Sequence, residues 1–142
     1  MHKLPFLLIG MAFGLTACAA YVKPLDLRFQ DRTIERNQMI TVERDGQLCD
    51  EDTLASQKCP IDFYIDSFLS GSFYANNTAT YYLKPEIYNL KVKNCTTDVC
   101  QSCNVDLQPQ QLTNKTFVLS VDVNGRPTIT NAGQELQCSS TN

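Results

Sequence analysis

The chain alternates short apolar segments with turn residues and shows almost no helical periodicity, which strongly limits its fold. Leu25, Leu27 and Phe29 alternate with polar residues, a period of two that buries one face of a strand. Asn124-Gly125 is typical of a tight hairpin turn, and only residues 51–57 carry a pattern compatible with a helical turn. These signals predict an all-β fold, a single small antiparallel β-sandwich or a barrel-like variant of it. The other strand candidates are residues 39–44, 61–65, 72–74, 79–83, 88–93, 117–123 and 128–130.

The first residues have the pattern of a secretory leader. His2 and Lys3 give a basic start, and residues 4–15 are apolar but too few to cross a bilayer as a helix. Small residues then lead up to Cys18. We therefore expect a signal peptide that directs the chain out of the cytoplasm.

Leu15-Thr16-Ala17-Cys18 resembles the lipobox of bacterial lipoproteins, in which the cysteine receives a diacylglycerol and the leader is cut before it. The resemblance implies a covalent lipid on Cys18, no other cofactor, and attachment to a membrane through acyl chains. Residues 19 and 20 are alanine rather than the aspartate that this family associates with inner-membrane retention, which implies the periplasmic face of the outer membrane. The expected organisation is a signal peptide at 1–17, a lipidated tether at 18–24 and a β-sandwich domain at 25–142.

Length and charge limit the possible partners. Of the 142 residues, 125 remain after a cut before Cys18, enough for the core of one domain but not of two. The whole chain carries 12 basic and 15 acidic side chains, and loss of Lys3 with the leader leaves 11 basic ones and a net charge of −4. Because no basic stripe is present, we expect no nucleic-acid partner.

Six cysteines follow Cys18, an even number in a chain addressed to an oxidising compartment. Such a set predicts a disulfide framework. Cys49 and Cys59 flank one polar loop and are expected to pair, and a bridge from the group at 95–103 back to Cys138 is expected as well. The remaining connectivity is open at this point. The six candidates are Cys49, Cys59, Cys95, Cys100, Cys103 and Cys138.

The spacing Cys100-Gln101-Ser102-Cys103 is compatible with three functions. It matches thiol oxidoreductases, and it also matches half of a zinc site that Cys95 and Cys138 would complete. An oxidising compartment instead favours structural disulfides, and a redox pair would need a helix N-terminus that this polar stretch between strand candidates does not predict. Structural bridging is the interpretation that we favour.

Catalysis is restricted because the only histidine, His2, lies in the leader. Serine and cysteine nucleophiles activated by histidine are therefore excluded, as is a histidine-ligated catalytic zinc. Asp50, Glu51 and Asp52 cluster in one loop, but their spacing is not that of an EF-hand, so no metal site is expected. We expect a protein that is not an enzyme.

A second resemblance covers residues 61–92. This stretch contains a β-rich segment, a turn at Gly71, a second short segment, a polar turn and an alternating strand. It is similar to the small β-sandwich modules of the PEGA and related lipoprotein type, although Glu86 stands where glycine is usual. The matching positions are Leu83, Pro85, Tyr88, Leu90 and Val92.

Two groups of residues are candidates for a binding face. Aromatic clusters are enriched at interfaces, and adjacent tyrosines in a strand must face opposite ways, so either Tyr81 or Tyr82 faces outward. The acidic loop would complement a basic partner. The candidates are Tyr74, Tyr81, Tyr82 and Tyr88 in the hairpin region, and Asp50, Glu51 and Asp52 in the loop.

The function predicted from these features is a lipid-anchored envelope protein with a structural or binding role, accessory to an envelope or secretion assembly. Its expected partner is another envelope protein. One alternative is a periplasmic inhibitor of a hydrolase such as lysozyme, acting through the acidic loop. The other is a thiol-disulfide enzyme that uses Cys100 and Cys103.

Overall fold

Two β-sheets packed face to face make up the computed structural model, which describes residues 21–96 and 99–139. The predicted leader and Cys18 lie outside these residues. Within the described ranges the only helix is a short 3-10 turn at Pro109–Gln111, and none is long and apolar enough to span a membrane. The strands are β1 (Gln38–Arg44), β2 (Ile61–Ile65), β3 (Phe68–Phe73), β4 (Thr78–Leu83), β5 (Tyr88–Cys95), β6 (Cys100–Leu107), β7 (Thr116–Val121), β8 (Pro127–Asn131) and β9 (Gln134–Glu135).

The strand order differs between the two layers. One sheet has the order β3-β2-β5-β6 and the other β4-β1-β7-β8-β9. All pairings are antiparallel except that of β1 with β7, where Val42 lies opposite Phe117 in a parallel register. The predicted all-β sandwich is therefore confirmed, with one parallel pair that local sequence patterns do not show.

Alternate residues of the strands form the core between the sheets. In β5 every second residue from Tyr88 to Asn94 is buried, which is the period of two expected for a strand with one face in a core. Phe63 of one sheet packs against Tyr81 of the other with ring centroids 5.4 Å apart. Burial of such aromatic and aliphatic side chains is the main source of stability in a fold of this kind.

The open side of the sandwich between β3 and β4 is covered by residues 21–30, called here the N-terminal strap. Leu25 and Ser72 exchange two backbone hydrogen bonds, of 3.1 and 2.8 Å. Further along, the Tyr82 N–H donates to the Phe29 carbonyl at 2.8 Å. The strap thereby pairs with the exposed edges of both sheets, which otherwise would be templates for aggregation.

Residues 136–139, the C-terminal strap, cover the opposite side. The Ser139 N–H donates to the Asn104 carbonyl of β6 at 2.7 Å, and the Leu136 N–H donates to the Ile129 carbonyl of β8 at 2.8 Å. A disulfide between Cys103 and Cys138 holds this strap against the edge strand β6. The two straps therefore give the sandwich some of the closure of a barrel.

The N-terminal strap corrects two predictions. The alternating segment at 25–30 is not a regular strand, because Asp26 and Phe29 adopt left-handed backbone angles with φ of 57° and break the pleat. Residues 21–24 also do not form a free tether, since the Val22 carbonyl accepts a hydrogen bond from the Asn77 side chain. The strap belongs to the folded body at least from Val22 onward.

Three further local predictions are wrong. The turn between β2 and β3 lies at Asp66 and Ser67, both with positive φ, and Gly71 lies inside β3. A Cβ at Gly71 would approach the Tyr81 hydroxyl and the Phe73 ring to 2.6 Å, so glycine is required there by packing. Residues 51–57 form turns without a helix, and the motif at 100–103, predicted to lie in a polar stretch between strands, begins the strand β6.

Candidate functional site

Four connections meet at one end of the sandwich, called here the loop end. They are the β1–β2 loop (45–60), the β3–β4 turn (74–77), the β7–β8 turn (122–126) and the β5–β6 turn, of which Thr96 and Val99 are described. The Asn76 N–H donates to the Asp45 carbonyl at 3.1 Å, and the Gln101 side chain donates to the Asn124 carbonyl at 3.3 Å. The first bond joins the β3–β4 turn to the β1–β2 loop, and the second joins the start of β6 to the β7–β8 turn.

A cleft of about 840 Å³ opens at this surface, between the β1–β2 loop and the two turns beside it. This volume falls within the usual range for ligand sites. One basic side chain, Lys58, also contributes to the lining. The acidic side chains that line it are Asp50, Glu51, Asp52 and Asp122.

The β1–β2 loop is closed by the disulfide between Cys49 and Cys59, as the sequence predicts. Both cysteines are buried, and hydrogen bonds within the loop hold its backbone. The Asp52 carboxylate accepts hydrogen bonds from the N–H groups of Lys58 and Cys59, at 3.1 and 3.2 Å. A loop held in this way loses little conformational freedom when it binds a partner.

Asn94 links the β1–β2 loop to the β7–β8 turn from beneath. Its side-chain nitrogen donates to the Gly125 carbonyl at 2.7 Å and lies 3.5 Å from the Cys59 sulfur. The side chain is buried, so water does not compete for these contacts. The two walls of the cleft are therefore connected through one polar core residue.

Arg44 lies under the same loop and is only 2% exposed. Its guanidinium donates to the carbonyls of Phe73 at 2.7 Å, Cys59 at 3.1 Å and Gln47 at 3.4 Å. Burial lowers the pKa of this arginine, and the nearby Asp45 and Asp52 carboxylates act in the opposite direction. The buried cation therefore joins the end of β1, the start of β2 and the end of β3.

Asp122 is held at the mouth of the cleft by its own turn. Its carboxylate accepts hydrogen bonds at 2.9 Å from the N–H groups of Arg126 and Asn124. These bonds, with that of Arg126 first, lower the pKa of Asp122 below its ordinary value. Among residues 21–96 and 99–139, no three acidic, histidine or cysteine side chains are grouped so as to hold a metal ion.

The tyrosine candidates divide between core and surface. Tyr81 is fully buried and its hydroxyl donates to the Ser70 carbonyl at 2.7 Å, while Tyr88 is almost fully buried and accepts from the Lys84 N–H at 2.8 Å. Burial raises the pKa of both hydroxyls. The prediction that Tyr81 and Tyr88 belong to a binding face is therefore wrong. Tyr74 and Tyr82 are partly exposed, and the exposure of Tyr82 is that expected for one member of the adjacent pair.

The cysteine pair at 100 and 103 is divided between two disulfides. Cys100 lies opposite Cys95 in the register of β5 and β6 and is bonded to it, and Cys103 is bonded to Cys138. Residues three apart in a strand project from opposite faces, so Cys100 and Cys103 cannot form a redox pair in this fold. The same bonds leave none of the four thiolates that the zinc alternative requires.

Arg44 and Asn94 are the residues supporting the candidate site that sequence reasoning missed. Each continues an alternating run of inward-facing apolar residues, after Ile40 and Val42 in β1 and after Leu90 and Val92 in β5. A polar residue at such a position predicts a buried hydrogen-bonding role. That signal was present in the sequence at the end of each strand.

No known protein family, curated protein or solved structure matches the chain.

Proposed function

We propose that this chain is a lipid-anchored protein of the bacterial envelope that acts by binding another envelope protein. The leader and the lipobox-like motif support attachment through Cys18, on the periplasmic face of the outer membrane. The three disulfides support a compartment in which thiols oxidise. The role is structural or accessory to an envelope or secretion assembly.

The observation that carries the binding role is the cleft at the loop end. Its walls are held by the Cys49–Cys59 disulfide, by Asn94 and by Arg44, so the surface is formed before any partner arrives. The lining is predominantly acidic, which favours a partner with a basic surface.

Two of the four acidic residues of the cleft have structural partners rather than a catalytic arrangement. Asp52 and Asp122 both accept backbone hydrogen bonds from their own loops. Their carboxylates are engaged in maintaining the shape of the cleft walls. This supports binding rather than acid–base chemistry as the activity of the site.

Inhibition of a hydrolase such as lysozyme is a second candidate function. It is favoured by the short disulfide-closed loop, which presents the exposed side chains of Asp50 and Glu51 on a fixed backbone. A rigid acidic loop of this kind complements a basic enzyme and binds without a large ordering cost.

The binding role is tested by crosslinking in detergent-solubilised envelopes and purification of the tagged protein. The double variant Asp50→Asn/Glu51→Gln removes two charges from the loop end, and Asp31→Asn/Glu35→Gln removes two exposed charges at the opposite end. We expect a crosslinked partner to be retained by the wild type and by the control but lost or reduced in the loop variant. Equal recovery with both variants would contradict the assignment of the cleft.

Two further measurements separate the parts of the proposal. Mass spectrometry of the mature N-terminus should find a diacylglycerol on Cys18, and an unmodified cysteine there would contradict the anchor. A lysozyme assay with the same two double variants should show inhibition that only the loop variant loses. Absence of inhibition by the wild type would remove the second candidate function.

A further inference from the structure

The N-terminal strap leaves the folded body at the loop end. The Asn77 side chain donates to the Val22 carbonyl, and its Oδ1 accepts from the Tyr74 N–H at 2.8 Å. The Asn77 carbonyl in turn accepts from the Arg44 N–H at 2.8 Å. Because Asn77 is fully buried and bonded on three sides, the exit point of the chain is fixed beside the acidic loop.

The distance from this exit point to the predicted anchor is short. Val22 lies four positions after Cys18, with three residues between them, and four fully extended residue steps span at most about 14 Å. The strands contain up to eight residues, so the opposite end of the sandwich lies roughly 20 to 27 Å further away. A lipid on Cys18, on which this inference depends, therefore brings the loop end and not the opposite end to the bilayer.

Apolar side chains are exposed at the tips of the connections at this end. Val123 in the β7–β8 turn is 96% exposed and Val99 in the β5–β6 turn is 57% exposed. Tyr21, next to the exit point, is also exposed, and tyrosine is enriched where protein meets lipid headgroups. Leu54 in the β1–β2 loop is also exposed at this end. Further exposed apolar residues, such as Ile34 and Phe68, lie elsewhere on the body, so the position of the anchor is what selects this end.

We propose that the loop end rests on the lipid surface, with Val99 and Val123 among the headgroups and the cleft opening toward the bilayer. The acidic residues beside these tips give no attraction to anionic lipid, so the contact depends on the anchor. A partner in the cleft is then engaged at the membrane surface, by a basic segment that lies close to the bilayer.

The orientation can be measured with single tryptophans, because the chain contains none. The lipidated full chain is reconstituted into phosphatidylcholine vesicles with nitroxide-labelled headgroups, as the variants Val99→Trp, Val123→Trp and Ile87→Trp. Ile87 is an exposed residue of the β4–β5 connection, at the opposite end, and is the matched control. We expect several-fold stronger quenching at positions 99 and 123 than at position 87.

Flotation of the same vesicles distinguishes failure of the orientation from failure of the anchor. Equal quenching of all three variants, with all of them bound to vesicles, would overturn the orientation and leave the anchor intact. Absence of the protein from the floated vesicles would overturn the anchor, and with it the orientation. If the tryptophan of Ile87→Trp were quenched most strongly, the opposite end would lie on the lipid instead.

Discussion

Loss of the disulfide between Cys103 and Cys138 is expected to destabilise the fold more than loss of either other disulfide. A disulfide removes conformational freedom from the unfolded chain, and the effect grows with the length of the loop that it closes. The sequence separations are 35 for Cys103–Cys138, 10 for Cys49–Cys59 and 5 for Cys95–Cys100. The chain-entropy treatment converts these separations into about 4, 3 and 2 kcal/mol of free energy of unfolding.

Contacts in the folded state add to the difference in stability expected between loss of the Cys103–Cys138 bridge and loss of the Cys95–Cys100 bridge. Cys103 is 1% exposed in β6, and its disulfide holds the C-terminal strap over that edge strand. Cys95 and Cys100 are instead exposed, and the antiparallel register of β5 and β6 already places them opposite each other. Removing the first bridge releases a covered sheet edge, whereas removing the second releases only one end of a hairpin.

The experiment compares Cys103→Ala/Cys138→Ala with Cys95→Ala/Cys100→Ala by urea unfolding followed by circular dichroism. We expect the first variant to lose about 4 kcal/mol and the second about 2, a large share of the 5 to 15 kcal/mol of a typical domain. Mass spectrometry without reduction verifies that the other two disulfides are intact in each variant. Equal losses, or a larger loss for the Cys95–Cys100 variant, would refute the reasoning from loop length and strap closure.

Three other substitutions test the polar core and the cleft. Arg44→Ala should cost about 3 kcal/mol in urea unfolding, because buried carbonyls lose their donor and a void remains. Tyr81→Phe should cost about 1 kcal/mol, because the bond to Ser70 is lost. Burial raises the pKa of Tyr81, so the stability that its neutral hydroxyl contributes is complete below the ordinary pKa of 10.0 and is lost as the pH rises above it. The loss of stability in Tyr81→Phe should therefore shrink in alkali, and a loss that stays constant there would contradict the raised pKa. Hydrogen bonds lower the pKa of Asp122, so Asp122→Asn should lower the melting temperature at neutral pH. The difference in melting temperature between variant and wild type should shrink as the pH falls below 3.8, and a difference that stays constant would contradict the role of the Arg126 bond.

Most strands were predictable because alternation is a local property. Residues 61–65 are β2 without a shift in boundary, and the other predicted strands differ from the structure by a few residues at their ends, apart from 25–30. Errors occurred where a local signal had a second explanation. Glycine is typical of a turn, but Gly71 lies in a strand and leaves room for Tyr81. The polar residues and cysteines of β6 do not show the apolar alternation by which the other strands were recognised.

The candidate site was predictable only in part. The acidic loop and its disulfide follow from the spacing of Cys49 and Cys59. Its neighbour in the cleft wall, Asp122, lies more than sixty residues away, and nothing local in the sequence connects the two. The burial of Arg44 and Asn94 follows from the alternation of the strands in which they lie, but the identity of their hydrogen-bond partners does not.

The sequence by itself determined the class of this fold and the even set of cysteines, because alternation and residue counts need no contact between distant segments. Only the tertiary structure decided that β1 lies beside β7, that Cys100 and Cys103 belong to different disulfides, and that the described chain leaves the body at the loop end. Pairings between distant segments depend on how whole sheet faces pack and on which edges remain open. Which distant strands pair is therefore decided only when the core assembles, and no local sequence pattern specifies it.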